Sequence, residues 1–244
     1  MHAPGKGPTM IFRQLFEPAS STYTYLIGCE QTGQAALIDP VLETVERDLG
    51  IIQEIGLKLA CTVETHIHAD HVTGAGRLRA LSGSKAGFPL ASGAEFIDFT
   101  IAEGTPVAIG ELTLRPLYTP GHTDDHHAYF LEAVGSARLF TGDALLIEGC
   151  GRTDFQNGDA ATLYRSVHEK IFALGDETLV YPAHDYNQRF VSSVGQEKAR
   201  NPRLGGGKSV DEFVTIMAGL NLPRPKKIDV AVPANRRSGE IQTV

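Results

Sequence analysis

Short apolar runs separated by turn residues fill the first forty positions: Ile11 to Leu15, Tyr23 to Ile27, and Ala35 to Ile38, the last stopping at Asp39-Pro40. Runs of this length closed by Asp and Pro predict a β-meander. From Glu43 to Ile55 the period changes. Val45, Leu49, Ile52 and Ile55 recur at three- and four-residue steps, which predicts an amphipathic helix. Leu59 to Val63 then reads as a buried strand that completes a β-α-β unit, and Gly74 to Leu81 as a helix. Strands return between Pro89 and Leu131, over Val107 to Ile109, Leu112 to Tyr118 and Ala128 to Leu131, with a hairpin turning at Gly110-Glu111. Leu139-Phe140-Thr141 is a further strand, stopping at Gly142-Asp143. Leu163, Val167 and Ile171 place a helix over Ala160 to Ala173, and Thr178 to Tyr181 forms a strand ending at Pro182-Ala183-His184.

Beyond Asn201-Pro202 the pattern predicts a hinge-like loop at Gly205-Gly206-Gly207 and a helix over Val210 to Leu220. Pro223, Pro225 and Pro233 then mark an irregular tail. The order of elements predicts an α/β (α+β) chain of two mixed sheets with helices outside. Residues 1–10 are expected to be a flexible leader and 11–244 a single domain, with 201–244 its C-terminal helix and tail.

Composition changes this picture little. A chain of 244 residues with 42% hydrophobic and 21% charged positions has the make-up of a globular domain. Net charge is −7 and the basic residues are scattered, which argues against a nucleic-acid partner. No apolar run approaches the roughly 20 residues that cross a bilayer. Cys29, Cys61 and Cys150 are odd in number and far apart, so they read as packed thiols in a reducing compartment. Met1 to Thr9 has neither an apolar signal core nor the arginines of a transit peptide, and a cytoplasmic location is expected.

Candidate chemistry concentrates in one stretch, His66-Ile67-His68-Ala69-Asp70-His71, which puts four metal-binding side chains within six positions. Three more candidates follow β-like runs: His122 in Pro120-Gly121-His122-Thr123, Asp143 in Thr141-Gly142-Asp143, and His184 in Pro182-Ala183-His184-Asp185. Ligands at the ends of separate strands can converge on one point of a rigid sheet scaffold.

With these residues in this order the chain resembles the metallo-β-lactamase fold superfamily. The resemblance implies an αββα sandwich with a metal at one edge of its two sheets. Fold alone does not choose the chemistry, but the flanking segments narrow it. Gly149-Cys150-Gly151-Arg152-Thr153-Asp154-Phe155-Gln156, Val167-His168-Glu169-Lys170-Ile171 and Tyr181-Pro182-Ala183-His184-Asp185-Tyr186 are similar to the glutathione persulfide dioxygenases. So are Asn201-Pro202-Arg203-Leu204, Asn221-Leu222-Pro223 and Val232-Pro233-Ala234-Asn235.

That resemblance implies one iron(II) per chain held by His66, His122 and Asp143. It also implies oxidation of glutathione persulfide by O2 and water to glutathione and sulfite, a homodimer, and a place in sulfide oxidation. Two imidazoles and a carboxylate on one face form the facial triad of oxygen-using iron sites, whereas zinc has no redox chemistry. His68, Asp70, His71 and His184 would then orient the ligands, hold a water or relay protons.

For the carboxylates of glutathione, Arg152 is the first candidate, because a guanidinium can grip a carboxylate with two hydrogen bonds. Tyr186, Arg203 and Tyr181 come after it. His126 and His127, behind Asp124-Asp125, are assigned no ligand role, and nothing in the sequence marks Cys150, beside Arg152, as a reactive thiol. The competing reading is a hydroxyacylglutathione hydrolase with two metals. It would use His66, His68 and His122 for one ion, Asp70, His71 and His184 for the other, and Asp143 as bridge. All seven are present. A non-catalytic sulfur-carrier module would predict a broken ligand set, and this one is intact.

Overall fold

The computed structural model describes residues 7–133 and 135–240. Its first sheet begins with β1 (Met10–Glu17), which runs antiparallel to β2 (Thr22–Cys29), and β3 (Gln34–Ile38) continues the meander. After a 3-10 turn at Leu42–Thr44, α1 (Val45–Glu54) crosses to β4 (Lys58–Val63), parallel to β3. α2 (Ala75–Ser82), β5 (Lys85–Pro89) and β6 (Phe99–Ile101) complete this half, in the order β1-β2-β3-β4-β5-β6.

The second sheet contains β7 (Val107–Ile109), β8 (Leu112–Tyr118), β9 (His127–Ala133) and β10 (Ser136–Gly142) as antiparallel neighbours. α3 (Ala160–Ser166) runs into a π-wound turn at Val167–Ile171. β11 (Leu179–Pro182) then adds parallel to β10, and β12 (Ser192–Ser193) closes the edge. The last helices are α4 (Val194–Arg200), α5 (Val210–Ala218) and α6 (Ile228–Asn235).

Three apolar layers hold these parts in an αββα sandwich. Tyr25, Ile27, Ile38, Val63, Leu114, Tyr129 and Phe140 meet between the sheets. Leu26, Leu37, Val45, Ile52 and Leu78 seal α1 and α2 onto the first sheet. Leu139, Leu163, Val167, Val180 and Phe213 seal α3 and α5 onto the second. Every residue of β2 is buried, because both of its faces are covered. Each aliphatic side chain so enclosed contributes about 1.5–3 kcal/mol.

The structure departs from expectation in four places. Residues 1–6 of the expected leader lie outside the described residues, and its end is already structure: Met10 pairs with Cys29, and Glu30 N–H donates to Thr9 O. The tail is not irregular throughout. α6 is helical with Pro233 inside it, and burial of Ala231 and Ala234 against Val72 outweighs the backbone bond that proline cannot make. Gly205-Gly206-Gly207 starts as a hydrogen-bonded turn on the end of α4, with Gly205 buried and Gly206 and Gly207 exposed. Gly205 donates to Asn201 O and Gly206 to Lys198 O, and a side chain on Gly205 would strike Glu197 O. Finally, the apolar pattern does not mark β5, β6 or α4; β5 carries Gly87 and Pro89, which read as loop residues yet pair with β4 and β6.

Candidate metal centre

Four chain segments end at the same edge of the sandwich. His66 lies just past β4, His122 in the β8–β9 connection, Asp143 directly after β10 and His184 just past β11. The structure brings His66, His122 and Asp143 together, with one ligand atom from each lying within 4.8 Å of the others. The rings of His66 and His122 stand at 90° with centroids 4.8 Å apart, and His122 Nε2 is 3.4 Å from Asp143 Oδ2.

Hydrogen bonds on the far sides of the rings set their tautomers. His122 Nδ1–H donates to Arg152 O (2.6 Å). Thr65 Oγ1 donates to Asp39 Oδ2 (2.9 Å) and therefore accepts from His66 Nδ1–H (2.9 Å). Both Nε2 lone pairs are left to face the centre, the usual preparation of a metal-binding imidazole. Burial, then the surrounding imidazoles of His68, His122, His126 and His184, hold His66 well below the usual histidine range, so it is neutral. Asp143 Oδ1 is buried with no hydrogen-bond partner. Imidazole nitrogens and an unpaired carboxylate oxygen converging on one point fit a cation.

His68, Asp70, His71 and His184 form a collar around this triad. His68 Nε2 turns away to Asp39 Oδ1 (3.1 Å) and Glu64 Oε2 (3.4 Å), which hold His68 well above its usual range although burial opposes them. His71 Nδ1 lies 3.0 Å from Asp70 Oδ2, and His184 Nε2 lies 3.6 Å from both Asp70 Oδ2 and Asp143 Oδ1. Burial works against ionisation of Asp70, yet His71 and His184 keep it well below the usual carboxylate range. His68 Nδ1 and His71 Nε2 are buried without partners.

Sequence reasoning missed the side chains that hold the loop. Asp39 sits at φ +50°, a left-handed backbone uncommon outside glycine, and its carboxylate takes Thr65 N–H (2.7 Å), the Thr65 hydroxyl and His68. Asp125 Oδ2 accepts from Ile67 N–H (2.9 Å), and Gln156 Nε2 donates to Ile67 O (2.6 Å). His126 spends one nitrogen on Thr119 Oγ1 and accepts the Asp143 N–H at Nε2 (3.0 Å), while His127 Nδ1–H donates to Asp125 O. The only sequence signals for this support are the Asp39-Pro40 strand end and the acidic pair after His122.

A cleft of about 530 Å³ opens over His122, Asp143 and His184. Tyr186 lines it, 71% exposed, its ring nearly parallel to His184 at 6.2 Å. Arg203 lines it with Nη1–H on Cys150 O (2.9 Å). Arg152 reaches the cleft, but its fork is already on Asp154 (2.6 and 2.7 Å) and its Nη1 on Pro223 O. The two-bonded grip expected of Arg152 is therefore taken within the chain. Tyr181 is absent from the cleft. Strand alternation along β11 turns it between the sheets, against Phe12 (4.9 Å) and Phe140 (5.7 Å). Arg189, which no sequence pattern singles out, lines the wall with its guanidinium on Asp185 and Glu148. Cys150 is 3% exposed, and burial pushes its thiol up to about 11, so it is no ready nucleophile.

The profile of the metallo-beta-lactamase superfamily matches residues 18–87 and 92–184. The mouse (Mus musculus) protein "Persulfide dioxygenase ETHE1, mitochondrial" is 52% identical over 238 residues, covering 97% of this chain and 91% of the mouse protein. This chain belongs to the persulfide dioxygenase family. A crystal structure from the persulfide dioxygenase family, ETHE1 from Myxococcus xanthus, matches with a TM-score of 0.90 at 54% identity, over 95% of this chain and all of that one (100%). A hydroxyacylglutathione hydrolase from Rhodospirillum rubrum is less similar, 39% identical over 76% of this chain and 70% of that protein. The αββα sandwich is thus the metallo-β-lactamase fold. Among the described residues no helix is long and apolar enough to cross a membrane.

Proposed function

We propose that this chain oxidises glutathione persulfide, with one O2 and one water, to glutathione and sulfite with release of two protons. The centre of that reaction is a single iron held by His66, His122 and Asp143. The observation that carries the reading is this donor set, within 4.8 Å and with both Nε2 lone pairs facing inward, in a chain of the persulfide dioxygenase family. Iron(II) on such a triad supplies the redox chemistry that O2 requires and that zinc lacks.

The protein's own groups do the rest. A cleft of about 530 Å³ is of the size that encloses a small ligand. Arg203 keeps donors free beyond its bond to Cys150 O, and with the Tyr186 hydroxyl it can receive the carboxylates of the tripeptide. Half-buried Leu146 and buried Ile147 in the wall limit water beside the reacting sulfur. His184 Nε2, equidistant from Asp70 and Asp143, is placed to hold a proton as sulfite leaves.

Anaerobically purified protein should contain about one iron per chain and consume O2 with sulfite formation when glutathione persulfide is added. Two zinc ions per chain without O2 uptake would sink the reading. One feature favours a second reading, the two-metal hydroxyacylglutathione hydrolase: His68 Nδ1 and His71 Nε2 lie buried and unpartnered beside Asp70. Hydrolysis of S-lactoylglutathione by protein with two metals per chain would select it.

A homodimer and a cytoplasmic location belong to the same proposal. Exposed Phe16 and Phe190 flanking Tyr23 support an apolar contact, and three buried free thiols suit a reducing compartment, although the mouse relative is named mitochondrial. Sedimentation and cell fractionation test the two.

A further inference from the structure

Residues 66–73 carry four of the seven polar groups at the centre, yet they belong to no helix or strand. What fixes their path comes partly from the opposite end of the chain. Asn235, the last residue of α6, is 1% exposed and reaches under the loop. Its Oδ1 accepts Thr73 N–H (2.8 Å), and its Nδ2 donates to His68 O (2.9 Å) and to His71 O (2.9 Å). The amide orientation is unambiguous, since two carbonyls must face the NH2 and one N–H must face the oxygen. These three loop groups have no other hydrogen-bond partner among the described residues. α6 is itself seated here: Ala231 and Ala234 pack on Val72, Ser238 O accepts Gly76 N–H, and Arg236 O accepts Glu95 N–H.

We propose that Asn235 is a positioning residue for the metal centre, clamping the backbone at His68, His71 and Thr73 so that the loop holds its path and brings His66 to His122 and Asp143 at the second sheet. The clamp spans 162–167 residues of sequence, so the tail acts on the centre without touching it. This inference rests on the reading that His66, His122 and Asp143 hold a metal, and it deepens that reading.

The test compares Asn235→Asp with Val230→Gly. The first keeps the size and the acceptor for Thr73 but sets oxygen against two carbonyls; the second weakens α6 at an exposed position and leaves the clamp alone. For iron-loaded N235D we expect release to a chelator about tenfold faster than wild type, within the range found when an outer partner of a metal ligand is removed. We also expect an altered electron paramagnetic resonance signal of its nitrosyl complex, and a lower kcat at an unchanged KM for the persulfide. V230G should lose thermal stability while its release rate and spectrum stay those of wild type. N235D matching V230G in release rate and spectrum would overturn the proposal. Should N235D not fold, Asn235→Ser, whose hydroxyl can keep part of the clamp, carries the same comparison. If the wild type turns out to hold another metal, cobalt(II)-loaded proteins compared by visible spectrum and release rate discriminate in the same way, so failure of the iron reading leaves this test standing.

Discussion

The two sheets supply the candidate metal centre in different ways. The second contributes His122, Asp143 and His184 one at a time, each within a few residues of a strand. Asp143 in particular follows β10 directly, where the ladder with β9 and β11 already sets the backbone. The first sheet contributes four groups from one loop, and no ladder reaches them. Buried side chains do that work instead: Asp39 on Thr65, Asp125 and Gln156 on Ile67, Asn235 on residues 68, 71 and 73. A ligand at a strand end inherits the rigidity of the sheet. A ligand on a loop borrows it from distant residues, and is exposed to substitutions far from the metal.

The largest effect should ignore that contrast. His66→Ala on the loop and His122→Ala at the other sheet each remove one of the three proposed ligands. Both should lose iron and lower O2 uptake by more than the roughly 10–100-fold typical of an outer partner. Metal analysis and O2 electrode traces check this. If either variant kept a full iron complement, the triad would be wrong.

The contrast itself is tested by Asp39→Ala against His126→Ala. Asp39 serves the loop, and its removal leaves the Thr65 N–H unpaired, takes the acceptor from the Thr65 hydroxyl and leaves His68 Nε2 with Glu64 alone. His126 serves one N–H of a residue the β10 ladder already places. Asp39→Ala should destabilise the metal-free protein by about 3 kcal/mol, as orphaned buried donors cost roughly 1–3 kcal/mol each and relaxation recovers part. His126→Ala should cost about half as much on the same scale. Denaturant titration of both decides it. Equal losses would mean that loop and strand end are held alike.

How much of the molecule is legible in its sequence follows the same line. The meander and α1 are legible because periodicity is a local signal, and the loop from His66 to His71 because its ligand types are dense; the choice of His66, His122 and Asp143 among seven candidates comes from the family resemblance, and the structure clusters these three. Asp39, Asp125 and Asn235 act only through partners 26 to 167 residues away, and no local pattern marks them. Tyr181 lies between the sheets and outside the cleft, because the alternation of β11 outweighs its closeness in sequence to His184. α6 is obscured by Pro233, since docking against Val72 is a tertiary term. Arg152 does reach the cleft, but not as a free fork, because Asp154 two residues on is nearer than any substrate.

Substrate contacts give the next effect. Arg203→Ala should raise KM for glutathione persulfide roughly tenfold, the equivalent of about 1.4 kcal/mol, with kcat little changed. Arg152→Ala should raise KM less, because its guanidinium is already bound to Asp154 and Pro223 O. Steady-state kinetics of the two variants would reverse this ranking if Arg152 exchanges Asp154 for the substrate.

The smallest effect belongs to a residue that supports the second sheet's region from outside. Glu17 closes the β1–β2 turn by accepting from Ala19 N–H, Ser20 N–H and the Ser20 hydroxyl, and Ser20 in turn meets Thr22. Thr22 forms an isolated bridge with His184, and Ser21 O takes the His184 Nδ1 hydrogen. Burial alone would raise the Glu17 pKa, but these hydrogen bonds hold it below the ordinary value of 4.5. A carboxylate with a lowered folded pKa stabilises the protein fully above its unfolded value, and that contribution disappears as pH falls through the folded one. Glu17→Gln should therefore cost about 1 kcal/mol at pH 7, where one acceptor becomes a misplaced donor, and less with each step below pH 4.5. Thermal melts of metal-free wild type and variant across pH 3 to 7 would show the gap narrowing toward acid. A gap that stayed constant across this range would mean that Glu17 supports the turn equally well protonated, and that its lowered pKa carries no stability.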